Sequence, residues 1–115
     1  DAAIDFRDPL PASMFTLRNP EELAAFLRRH PGAAALVREA AYRLPDYFPG
    51  DPLVLDIEID PEDAQEPMLF VVVRTALDPR TALATLWRFD REWWLPTRSQ
   101  TGLPVVVTIE PTRDV

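Results

Sequence analysis

The chain has 115 residues, 12 basic against 19 acidic side chains, a net charge of −7 and no cysteine. That length suits one hydrophobic core of ordinary size, and the missing thiol removes disulfide frameworks, iron–sulfur clusters, thiolate zinc sites and cysteine nucleophiles together. The acidic balance opposes phosphate backbones, so no nucleic acid is expected as a partner, and the single histidine leaves a zinc enzyme short of ligands.

Residues 1–18, with Pro9 and Pro11, read as an irregular N-terminal arm in which Met14 to Arg18 can make a short strand. Residues 19–115 read as one α+β domain. Asn19-Pro20-Glu21-Glu22 is a helix start: Asn19 can accept from an orphan amide, Pro20 needs no donor, and Glu22 completes a capping box. Leu23, Phe26, Leu27 and His30 then follow helical spacing up to Pro31. A second helix is expected from about 32 to Leu44, with Leu36, Val37, Ala40 and Ala41 inward and Pro45 as its end.

From Leu53 to Asp60 apolar and acidic residues alternate, the signature of a strand with one wet face, with Leu55, Ile57 and Ile59 inward. A polar loop, Pro61 to Glu66, leads to a second strand from Met68 to Thr75 that is apolar on both faces. Asp78-Pro79 caps a third helix reaching about Trp94, and Pro104 to Glu110 makes the last strand. The order α-α-β-β-α-β predicts a two-layer sandwich: a three-stranded mixed sheet in order 2-1-3 with the helices on one face.

Three glycines allow neither a phosphate-binding loop nor a dinucleotide fingerprint, and neither serine lies in a nucleophile elbow. Asp56, Glu58 and Asp60 line one strand face and could hold a divalent cation through oxygen ligands. Following Gly50, they are faintly similar to the Asp-x-Asp strand of polymerase-β nucleotidyltransferases, without the glycine-serine pair of that family. They carry the alternative reading, a small metal-dependent enzyme acting on nucleotides or phosphate esters. The alternative to that role is solubility, since acids on an outer strand face discourage edge pairing.

On the third helix Asp90 falls inside the apolar arc of Ala82, Leu83, Leu86, Trp87, Phe89, Trp93 and Trp94. A carboxylate there needs donors or suffers a raised pKa; an indole, Arg74 or loop amides are the expected donors, so Asp90, Arg74 and Trp94 form a candidate polar site. Arg74-Thr75 at a strand end and Phe89-Asp90 with Trp93-Trp94 at a helix end resemble a family of small uncharacterised bacterial proteins with an Arg-Thr strand end and a closing Phe-Asp-x-x-Trp-Trp. The resemblance implies no activity and no cofactor.

Helices on one face leave Phe70, Val72 and Val106 on the other, to be covered by Phe15 and Leu17 of the arm, by a second copy or by another protein. These five residues are the expected interaction surface of a non-enzymatic protein–protein interaction domain, homodimeric and, being acidic, suited to a basic partner. No apolar run approaches a membrane span, and Asp1 to Asp5 lacks the positive flank of a signal peptide, so a cytoplasmic protein with no membrane contact is expected.

Overall fold

The computed structural model describes residues 15–59 and 67–112. In chain order these form β1 (Phe15–Leu17), α1 (Pro20–Arg29), α2 (Ala33–Arg43), a tight helical turn at Leu44–Asp46, β2 (Leu53–Glu58), β3 (Met68–Thr75), α3 (Pro79–Phe89), a widened π-turn (Asp90–Trp94), α4 (Leu95–Thr101) and β4 (Val105–Pro111). The class is α+β, as the sequence predicts. Among the described residues no helix is long and apolar enough to cross a membrane.

The sheet corrects the expected topology. It has four strands in order β1-β2-β3-β4, with β1 parallel to β2, β2 antiparallel to β3 and β3 parallel to β4. The short strand within the arm pairs Phe15 with Leu53 and Leu17 with Leu55, which occupies the edge of β2 that the order 2-1-3 had assigned to the last strand. The last strand instead lies beside β3, parallel to it as the crossover through α3 requires. Residues 1–14 of the arm and the expected loop from Pro61 to Glu66 lie outside the described residues.

Alternation sorts each strand between two faces. Leu53, Leu55, Leu69, Val71, Val73, Val105 and Val107 join Phe26, Val37, Ala40, Phe89 and Trp94 in one buried cluster, so α1, α2 and α3 pack on a single face. Phe15 belongs to that cluster too. The strand β2 ends at Glu58, before the expected Asp60, and Ile59 is 52% exposed instead of pointing inward.

Local chemistry explains the helix ends. Asp78 caps α3 by accepting from the Thr81 amide at 3.4 Å, and hydrogen bonding from the Thr81 side chain and then from this amide holds its carboxyl below the usual range. The expected capping box at Asn19 does not form, because Asn19 Nδ2 donates to Asp56 Oδ1 at 2.7 Å, tying the start of α1 to β2. The third helix runs beyond the expected Trp94. At Leu95 the amide donates to the carbonyl of Asp90, five residues back, and Pro96 follows. Proline has no N–H to give and its ring crowds the carbonyl four residues before it; a widened turn accommodates both. Gly102, with φ 67°, then stops α4 in the left-handed conformation that glycine adopts without penalty.

Candidate functional site

The site is built on β4, an edge strand with no neighbour beyond it among the described residues. Leu69 N–H donates to Pro104 O at 3.0 Å and Thr112 N–H to Thr75 O at 3.1 Å. In a parallel ladder this fixes the parity: the even residues of β4 direct their amides and carbonyls to β3, and Val105, Val107, Ile109 and Pro111 direct theirs outward. At one end Val105 is already satisfied, its N–H bonded to Leu103 O at 2.9 Å and its carbonyl accepting Arg98 Nε at 2.7 Å. At the other end Pro111 has no N–H and its carbonyl accepts from Arg74 at 3.2 Å. Among the described residues, Val107 and Ile109 therefore hold the outward groups left open.

Beside this edge runs a mainly apolar groove of about 480 Å³ lined by Leu77, Pro79, Ala82, Leu83, Ile109 and Pro111, with Thr75 and Glu110 as its polar members. Leu77 and Leu83 are 40% and 41% exposed, and Trp87, one turn along α3 from Leu83, is 57% exposed. A strand edge with an apolar groove above it is the arrangement by which sheets accept a further strand: backbone bonds join it and alternate side chains enter the groove.

The opposite face of the sheet carries the other candidates. Val54 and Val72 are buried there at facing positions, Phe70 and Val106 are half-buried, and charged side chains surround them. Arg18 pairs with Glu110 at 2.8 Å and approaches Asp56 at 3.8 Å, while Arg74 Nε lies 3.1 Å from the same Glu110. The Arg18 hydrogen bond holds the Glu110 carboxyl below the usual range. The expected interaction surface is thus divided: Phe70, Val72 and Val106 share this face, Phe15 is buried in the core on the other, and Leu17 is exposed at the β1 edge.

The three acids of the metal reading stand apart in their partners. Asp56 is engaged by Arg18 and Asn19, Glu58 is exposed at the end of β2, and Asp60 lies outside the described residues. Among the described residues no three histidines, cysteines or carboxylates gather as metal ligands would. The residues proposed for a polar site are also separated. Arg74 is on the face away from the helices, whereas Asp90 sits in the π-turn and Trp94 is buried, stacked against Phe89 at 6.3 Å. Asp90 Oδ1 is buried with no hydrogen-bond partner among the described residues, so none of the expected donors reaches it, and desolvation pushes its pKa up.

The indoles divide along the helix. Trp94 fills the core, Trp93 lies under Arg43 at 4.7 Å, and Trp87 faces outward with Leu83. Sequence reasoning placed the exposed pair in one apolar arc with the core residues and missed the groove; the signal present was the i, i+4 spacing of Leu83 and Trp87 at the border of that arc. Comparison with protein families, with curated proteins and with solved structures gives no match.

Proposed function

We propose that this chain is a non-enzymatic protein–protein interaction domain that assembles as a homodimer, using the side of the sheet bounded by β4 and α3. The observation that carries the reading is the apolar groove of Leu77, Leu83 and Ile109 alongside a strand edge whose backbone groups at Val107 and Ile109 are open among the described residues. Apolar side chains flanking unpaired backbone favour a protein as occupant, because only another strand satisfies both at once. The acidic remainder of the surface suits a basic second partner. The far face, first expected to assemble, is the less favoured surface, since Val72 is 6% exposed and Arg18, Arg74 and Glu110 lie around it.

Native mass spectrometry at rising protein concentration tests this. Wild type should populate dimers, and Leu83→Asp should abolish them while circular dichroism stays unchanged. Phe70→Asp should leave the dimers in place. A chain that stays monomeric at every concentration would sink the homodimeric reading, and loss of dimers in Phe70→Asp alone would move the interface to the far face.

A further inference from the structure

The open groups of β4 are complementary to themselves. In an antiparallel pair of identical strands, residues that exchange both hydrogen bonds must each direct their N–H and C=O toward the partner. On β4 the residues so directed are Val105, Val107, Ile109 and Pro111, and among the described residues only Val107 and Ile109 of these four have open groups. We infer that two copies join β4 to β4 in antiparallel fashion about a two-fold axis at Thr108, so that two four-stranded sheets become one continuous sheet. The inference rests on the homodimeric reading above and specifies its geometry.

Register follows from counting groups. With the axis at Thr108, Val107 faces Ile109 of the second copy and Ile109 faces Val107, so all the open amides and carbonyls find partners. The next pair outward is Val105 against Pro111. Val105 already gives its N–H to Leu103 and its carbonyl to Arg98, while Pro111 has no N–H and its carbonyl is held by Arg74. No orphan is created at either end. Moving the axis to Val107 sets Ile109 against Val105, whose groups are spent; moving it to Ile109 sets Val107 against Pro111, which has no donor. Either shift strands a backbone group inside the interface, a cost that the Thr108 register avoids.

Side chains agree with that register. Val107 and Ile109 lie on the helix side, where Ile109 and Leu83 line the groove and the exposed Leu83 of the two copies would flank the junction. Thr108 meets Thr108 on the far side, a favourable cross-strand pair. Glu110 faces Val106 of the second copy, so carboxylates are not set opposite one another, and each Glu110 keeps Arg18 and Arg74 of its own chain. An isologous contact of this kind closes at two copies and does not propagate.

A cysteine scan tests the pairing, and the natural absence of cysteine makes it clean. Residues opposed at a non-hydrogen-bonded position have Cα atoms about 4.5 Å apart, within the range of a disulfide. Under diamide, the full chain carrying Thr108→Cys should convert to a covalent dimer, whereas Val106→Cys should not, because its opposite number is Glu110. The double variant Val106→Cys/Glu110→Cys should cross-link again. Ile109→Pro, which deletes one open donor per chain, should weaken dimerisation about tenfold or more. Dimers by native mass spectrometry that give no Thr108→Cys cross-link above the Val106→Cys level would overturn the edge pairing while leaving the homodimeric reading standing. Monomers at every concentration would overturn both.

Discussion

Two carboxyls titrate in opposite directions because of what touches them. Glu110 accepts from Arg18 at 2.8 Å, and its lowered pKa means that its contribution to stability is present above the ordinary carboxyl pKa and is lost as pH falls through the folded value. Glu110→Gln should therefore flatten the acid limb of the melting temperature against pH, the two proteins converging only below the lowered folded-state pKa. Asp90 is the reverse case. Burial raises its pKa, so it costs nothing below the ordinary carboxyl value and destabilises the fold as pH rises through the raised one. Asp90→Asn should stabilise at pH 7 by about 1 kcal/mol, roughly 4 °C in Tm, with no gain at about pH 3. Thermal unfolding over a pH series measures both variants, and an unchanged Asp90→Asn melting curve at pH 7 would show that its carboxyl is already satisfied.

At the scale of elements, α3 and its continuation separate three tryptophans by role. Trp94, 2% exposed and stacked against Phe89, should cost about 3–5 kcal/mol on replacement by alanine, a large part of the stability of a small protein. Trp87→Ala should leave monomer stability within about 0.5 kcal/mol and weaken the dimer; denaturant unfolding at low concentration, beside sedimentation, distinguishes the two. The same elements show what could be read from the residues. The alternation that runs from Leu53 and the Asp78-Pro79 start depend on neighbours in the chain, and both elements begin where the spacing predicts, although β2 ends at Glu58, short of the expected Asp60. Sheet order does not depend on neighbours: the edge of β2 is decided by competition with residues 15–17, which lie far away in sequence. The π-turn was illegible because a rotation of 100° per residue assumes the very bonding that Pro96 prevents. Of the candidate site, the exposed leucine and indole were visible as apolar positions, but the open amides follow from ladder parity and from Arg98 and Arg74, which only the folded chain brings to β4.

For the whole molecule, net charge would oppose the proposed assembly. Each chain carries −7, so a dimer gathers −14, twice that value, around an apolar junction. Raising ionic strength from about 0.01 to 0.1 M shortens the screening length from about 30 to 10 Å and should tighten the dimer measured by sedimentation equilibrium. A dimer that loosens with salt would be held by ion pairs and not by the edge and groove.

The bond between Arg18 and Glu110 joins the residue after the first strand to the last strand, across the face that no described helix covers. It acts as a latch on a short flap. Among the described residues the first strand has three ladder positions, with Phe15 as its buried anchor. A short edge segment of this kind is expected to open locally before the molecule unfolds. The Arg18 amide, bonded to Leu55 O at 3.0 Å, should exchange with deuterium faster than the Arg74 amide bonded to Pro52 O at 2.9 Å, and Glu110→Gln should widen the gap. Each opening bares the edge of β2, so acid, which releases the latch, sets how often the sheet offers a second place for a stray strand to join.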